Sequence, residues 1–284
     1  MISSKLSANK STAHKQQVAL LSGAIKASLP TALKPQLATL VDKPPHDFAA
    51  GSQEWLYEIK FDGYRLLTRI DTKKIHLFTR NGHDWSPKLP SLLTALKNLA
   101  LAPGWLDGEI VVLNAQGIPD FQALQGAFDQ SRTDKIVYYI FDLPFYDGFD
   151  LRGVALMGRK KLLKSILATK DSPLIRFSDT FDVASGDVLS AACRLGLEGV
   201  IGKRKTSHYI SRRTNDWIKL KCGHRQEFVI GGYTDPQGSR TGLGSLLLGV
   251  YEDQNLHFCG NVGSGFDTEM LNTLKQKLID ITIN

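Results

Sequence analysis

Cysteine is scarce in this 284-residue chain: Cys193, Cys222 and Cys259 are odd in number, widely spaced and form no Cys-x-x-Cys pair. That argues against a zinc site or a redox dithiol and points to a reducing compartment. No apolar run approaches the roughly 20 residues needed to span a bilayer, and no secretory signal precedes the globular part. A soluble intracellular protein without a membrane partner is expected. Acid is missing from residues 1–28, which carry Lys5, Lys10, Lys15 and Lys26 among many Ser, Ala and Gln, and no arginine. The missing arginines argue against an organellar transit peptide and predict a flexible basic linker or tail. Acid is also thin between Gly202 and Arg225, where Lys203, Arg204, Lys205, Arg212, Arg213, Lys219, Lys221 and Arg225 stand against Asp216 alone. With a formal charge of +7 over the chain, a polyanion such as nucleic acid is the expected partner, held with an affinity that falls as salt rises.

What the chain does have is a regular alternation of patterns. Trp55 to Lys60, Arg65 to Asp71 and Lys74 to Thr79 read as strands, and Asp62-Gly63 reads as a turn that makes the first two an antiparallel pair. Leu89, Leu92, Leu93, Leu96 and Leu99 recur at helical spacing, so this leucine stripe is core. Trp105 to Leu113 and Lys135 to Leu143 are further strands. Asp120 to Phe128, Arg159 to Thr169 and Asp182 to Leu195 suit helices, the second of them basic and amphipathic. Glu198 to Lys203 and Asp216 to Lys221 complete a mixed α+β domain over residues 29–222. From residue 223 to 284 the texture changes to short strands, Glu227 to Tyr233, Gly244 to Tyr251 and Leu256 to Val262, followed by a helix from Thr268 to Ile279. These read as the start of a small β-barrel.

The chemistry centres on Glu58-Ile59-Lys60-Phe61-Asp62-Gly63-Tyr64-Arg65. Alternation along the strand sends Glu58, Lys60 and Asp62 to one side while Tyr57 and Ile59 pack. A lysine at a strand end is ordinarily a solvated charge, so the weight falls on its company. Lys-x-Asp-Gly-x-Arg resembles the nucleotidyl-lysine motif of DNA ligases, RNA ligases and mRNA capping enzymes. Five more segments resemble motifs of that superfamily, in its order: Arg80-Asn81-Gly82, Leu106-Asp107-Gly108-Glu109, Tyr139-Ile140-Phe141-Asp142, Glu198-Gly199-Val200-Ile201-Gly202-Lys203 and Trp217-Ile218-Lys219-Leu220-Lys221.

The resemblance implies roles for these residues. Lys60 is the nucleophile, with Arg65, Lys219 and Lys221 in the catalytic set. Glu58, Ile59, Lys60, Arg65, Arg80, Glu109, Phe141, Lys219 and Lys221 hold the nucleotide, Phe141 by stacking on the base. Glu198 and Glu109 serve a Mg²⁺ or Mn²⁺ ion, consistent with the one or two carboxylates that usually hold such an ion beside phosphates. Neighbouring cations would favour the neutral, attacking form of a lysine and stabilise charge on phosphate. Lys203, Arg204, Arg212 and Arg213 are the DNA-binding candidates.

The wording around the motifs is most similar to the ATP-dependent DNA ligase domain of the multifunctional bacterial end-joining ligases, over about Leu29 to Phe266. That resemblance implies a nucleotidyltransferase (adenylation) domain with mixed and antiparallel sheets and flanking helices, followed by an OB-fold. It implies ATP as nucleotide and DNA with nicks or double-strand breaks as substrate. It also implies a DNA-end-binding protein and linked polymerase or end-processing domains as partners, in the cytoplasm at the nucleoid. The family's barrel ends in an Arg-x-Asp-Lys type motif, yet no arginine follows Arg240, so the barrel is expected to be partial and truncated at its C-terminus. An RNA ligase or GTP-using capping enzyme, and a DNA-binding fragment with impaired catalysis, are the alternatives.

Overall fold

The computed structural model describes residues 16–43, 54–168, 172–181, 185–222, 227–238 and 240–282. Residues 1–15 of the expected tail, Thr169, Asp182 and Arg225 lie outside the described residues. Two compact units are present, Met1–Cys222 and Gly223–Asn284.

In the first unit two sheets face each other. The larger holds β1 (Ile25–Lys26), β8 (Phe149–Asp150), β7 (Val137–Tyr146), β6 (Gly104–Val111), β4 (Tyr64–Ile70) and β5 (Ile75–Thr79) in that spatial order, with β9 (Ile175–Phe177) pairing in parallel with β7. The smaller runs β2 (Leu37–Leu40), β11 (Arg213–Lys221), β10 (Gly199–Arg204) and β3 (Trp55–Ile59), with β2 parallel to β11. Period-two alternation gives each strand an outer and an inner side. On the larger sheet Leu66, Ile70, Leu106, Ile110, Tyr138 and Ile140 join the main core with Leu92, Leu96 and Leu99 of α1 (Pro90–Leu99) and with Leu162, Leu163 and Ile166 of α3 (Leu156–Ala168). On the smaller sheet Trp55, Tyr57, Val200, Ile218 and Leu220 pack with Val188 and Ala192 of α4 (Ser185–Arg194). The inner faces meet at Leu56, Phe141, Leu156 and Trp217.

Local chemistry sets the helix ends. Pro90 opens α1, where a missing N–H costs nothing, and Ala100 in the left-handed conformation closes it. Asp120 caps α2 (Phe121–Asp129) by accepting from Ala123 N–H.

Three expectations fail. First, β3 and β4 are not a hairpin. β3 pairs with β10 and β4 with β5 and β6, so Asp62-Gly63 carries the chain from one sheet to the other. Gly63 is required there by close approach, because a Cβ would run into the Ile110 carbonyl oxygen. Second, the tail does not extend to residue 28. Val18 is wholly buried in the main core, and Ile25–Lys26 pairs with Phe149–Asp150, because β8 leaves an open edge for a strand to cover. Third, Cys193 and Cys222 are disulfide-bonded, with Cα atoms 5.3 Å apart. Their separation of 29 residues is closed by the β10–β11 pairing, which returns the chain beside the end of α4.

The second unit contains an antiparallel sheet of β12 (Val229–Tyr233), β13 (Leu246–Glu252) and β14 (Asn255–Val262), with α5 (Thr268–Asp280). Leu243, Leu246, Leu271 and Leu278 form its core, and Asp267 caps α5 by accepting from Met270 N–H. Among the described residues no helix is long and apolar enough to cross a membrane.

Candidate active site

Lys60 stands at the end of β3, where the chain leaves the smaller sheet, and its N–H donates to Gly199 O at 3.0 Å. Gly199 has φ of +149° and a Cβ there would meet the Leu220 carbonyl, so a glycine is needed where β10 starts beside Lys60. The Lys60 ammonium pairs with Glu198 Oε2, and Lys221 Nζ lies 3.2 Å from Glu198 Oε1. The loop before β10 thus holds one carboxylate between two lysines.

A cavity of about 510 Å³ opens between the inner faces, within the range of small-molecule sites. Glu58, Ile59, Lys60, Ile201, Lys203, Trp217 and Lys219 line it from the smaller sheet; Arg65, Glu109 and Phe141 line it from the larger. Arg80, on the loop after β5, and Arg213 complete a cationic side. Lys219 records how crowded that side is: burial, then Arg213, Lys60, Lys221 and Arg80, push its pKa down. Such a cluster favours a polyanionic ligand, whose charge would relieve the mutual repulsion.

Arg65 is committed to the wall. Its Nε and one terminal nitrogen donate to the two Asp107 oxygens, each at 2.6 Å, and that nitrogen also reaches Gln36 O at 3.2 Å. Tyr209 O–H donates to Asp107 at 2.7 Å. Burial pushes the Arg65 pKa down, but Asp107 overrides it and the net shift is upward. The guanidinium lies 4.4 Å from the centre of the Phe141 ring and Lys203 Nζ lies 4.3 Å from it. Phe141 is only 6% exposed, so it offers the cavity a narrow apolar surface.

Lys203 is not a DNA-facing residue. It is 2% exposed, donates to Glu58 at 3.0 Å and sits 4.1 Å from the Trp217 ring centre. Inner-face alternation on β10 turned it inward, where Glu58 supplies the charge that its burial demands. Burial lowers its pKa to about 8 against the pull of Glu58. Of the other DNA-binding candidates, Arg204 is half-buried and pairs with Glu54 at 2.9 Å, while Arg212 and Arg213 are exposed.

Sequence reasoning missed Asp107, Tyr209, Lys160 and Ser178 as parts of this site. Lys160 sits in a basic run that reads as a solvated helix face, yet it is 4% exposed and pairs with Glu58 at 2.7 Å. Its neighbour Arg159 is fully buried in a two-pronged pair with Asp142. Nothing local in Gly158-Arg159-Lys160-Lys161 marks which of these basic residues turns inward.

The donor set admits a divalent cation beside phosphates. Among the described residues no three metal-ligating side chains converge. Glu198 and Glu109 both act electrostatically on the Lys60 region, which leaves most of a coordination shell to phosphate and water, the usual way Mg²⁺ is held.

Glu109 gives a pH signature. Burial pushes its pKa from 4.5 to about 7 against Arg65 and Lys60. Between those values the folded chain keeps a proton that the unfolded chain has lost, so stability falls as pH rises through this window. Thermal melting of the ligand-free chain at pH 5, 6, 7 and 8 should show that decline, flattened in Glu109→Gln. Equal pH slopes for the two proteins would remove the assignment.

A family model for the ATP dependent DNA ligase domain matches residues 35–221, and one for the ATP dependent DNA ligase C terminal region matches residues 239–284. The chain belongs to the ATP-dependent DNA ligase family. It is 51% identical to the multifunctional non-homologous end joining protein LigD of Pseudomonas aeruginosa over 261 residues, 91% of this chain and 30% of that protein. It is 38% identical to the LigD proteins of Mycobacterium tuberculosis over 87% of this chain and 31% of theirs. The chain therefore spans about a third of the length of these curated relatives. It is 30% identical to the SPbeta prophage-derived DNA ligase-like protein LigB of Bacillus subtilis, over 71% of this chain and 72% of that one. Among solved structures, mycobacterial DNA ligase D complexed with ATP and MES aligns with a TM-score of 0.61 at 34% identity, covering 87% of this chain and 78% of that one. The expected fold class, an α+β adenylation domain followed by an OB-fold region, holds for this member of the family.

Proposed function

We propose that this chain is a ligase core that adenylates itself on Lys60 and seals DNA breaks in end joining. The observation that carries the proposal is the placement of Lys60. It leaves the smaller sheet on the wall of the cavity, whose lining also holds Lys219, Arg80 and Arg213, which we assign to phosphate, and Glu58, Phe141 and Ile201, which we assign to the base.

Lys60 loses one proton to Glu198 or solvent, its free amine attacks the α-phosphorus of ATP, the P–O bond to pyrophosphate breaks, and a second N–H proton leaves to solvent or pyrophosphate, giving Lys60–AMP. Lys219, Lys221, Arg80 and Arg213 grip phosphate, and Glu109 faces the ribose. A bound Mg²⁺ would supply charge neutralisation on the phosphates beside Glu198 and Glu109. AMP then passes to the 5′-phosphate of the break, and a 3′-hydroxyl displaces it. Arg212 and Arg213 are suited to the DNA backbone. End-binding and polymerase or end-processing partners, and a bacterial cytoplasmic, nucleoid-associated setting, are inferred from the multifunctional relatives.

The test is intact-mass spectrometry of the chain incubated with Mg²⁺ and ATP or GTP, followed by sealing of nicked and pre-adenylated nicked DNA. The expected result is one AMP added from ATP, with sealed product from both substrates. Equal labelling from GTP would favour a capping-type enzyme. DNA binding with no AMP adduct and no sealing of either substrate would identify a catalytically impaired DNA-binding fragment.

A further inference from the structure

Glu58 lines the cavity two residues before Lys60, and its hydrogen bonds leave it an unusual remainder. Its Oε1 accepts from Lys160 Nζ at 2.7 Å and from Lys203 Nζ at 3.0 Å, while Oε2 accepts from Ser178 Oγ at 2.9 Å. A carboxylate has about four lone-pair sites, two on each oxygen. Oε1 is therefore filled and Oε2 keeps one acceptor site. Lys160 is itself fixed by a second donation, to Ser178 O at 3.1 Å. It reaches this point from α3, outside every segment that resembles a ligase motif.

A buried ion pair is a poor source of stability, because desolvation offsets the Coulombic gain. Two lysines committed to one carboxylate therefore call for a reason other than stability. We infer that Lys160 is a positioning residue for base selection: with Lys203 and Ser178 it holds Glu58 as a fixed, acceptor-only carboxylate for the exocyclic amino group of a 6-aminopurine. A 6-oxopurine would set its own acceptor against that oxygen. The inference rests on the proposed nucleotide role of the cavity, in which Glu58 already takes part, and adds to it Lys160 as the residue that holds that carboxylate in place.

The charge matters as well as the position. Burial alone would raise the Glu58 pKa, and a protonated carboxyl could turn its O–H toward a 6-oxo group and accept guanine. Lys160 first, then Lys203, reverse that effect and keep the pKa below the ordinary glutamate value.

The test is equilibrium binding of ATP and of GTP to the whole chain without metal, by calorimetry, with thermal melting recorded beside it. In Lys160→Met the ratio of GTP to ATP dissociation constants should fall by about 10- to 100-fold, the span of a hydrogen bond to a charged group. Lys160→Gln, which keeps a donor and loses only the charge, should fall in the same direction and serves where the methionine variant does not fold. Adding Lys160→Met to Glu58→Gln should leave the ratio unchanged, since Lys160 acts through Glu58. An unchanged ratio in a folded Lys160 variant, whatever its melting temperature, would reduce Lys160 to a structural ion pair. Wild-type binding of ATP and GTP with equal affinity would overturn base selection while the cavity remained a nucleotide site. Binding of neither would overturn the proposed function itself.

Discussion

Lys60→Ala should gain no AMP under conditions where the wild type gains one, while its melting temperature stays close to that of the wild type. The two halves of that expectation have separate causes. Lys60 is the cavity lysine at the crossover between sheets, and replacing a nucleophile removes the covalent path altogether. Its ion pair with Glu198, by contrast, joins side chains that are 17% and 23% exposed, and such partly solvated pairs contribute about 0–1 kcal/mol. Lys219 is the competitor, since it lines the same cavity. Peptide mapping of the wild-type adduct therefore accompanies the mass measurement, and AMP found on Lys219, or retained in the alanine variant, would displace Lys60 from its role. Sealing of pre-adenylated nicked DNA should survive in Lys60→Ala, because that step makes no use of the amine.

Arg65→Met should be the most destabilising substitution at the site. The side chain is not a free phosphate ligand but half of a two-pronged pair with Asp107, a carboxylate with no solvent exposure. Removing one partner of a buried pair leaves an uncompensated charge, at a cost of about 3–5 kcal/mol. For a domain of this size that corresponds to a fall in melting temperature of roughly 6–20 °C. The double substitution Arg65→Met, Asp107→Asn should recover much of the loss, since the orphaned charge is then gone and the Tyr209 hydroxyl keeps an oxygen to donate to. A double variant no more stable than Arg65→Met would show that packing against Phe141 and Trp217, rather than the ion pair, makes the arginine necessary.

The inner and outer faces were legible where alternation alone decides them. Ile218 and Leu220 go to the core while Lys219 faces the cavity, as period two requires, and the leucine stripe of α1 is buried as helical spacing requires. What the sequence could not convey was pairing over long separations. Asp62-Gly63 carries a good local turn signal, but β3 finds its partner about 140 residues later in β10, and the turn becomes a bridge between sheets. Lys203 reads as one of a basic run until β3 brings Glu58, opposite Ile201, diagonally within reach of it, and the burial of Lys160 depends on the same distant carboxylate. In each case a charged residue's fate was set by a counter-charge from another element, which no local window contains. The Cys193–Cys222 bond escaped notice for the same reason.

The crossover at Gly63 joins the two sheets within three residues of Lys60. Lys60, Lys219 and Glu198 belong to the smaller sheet and its adjoining loops, whereas Arg65, Glu109 and Phe141 belong to the larger. The distance from the proposed attacking amine to the surfaces proposed for ribose and base is therefore set by the spacing between two sheets and by neither sheet alone.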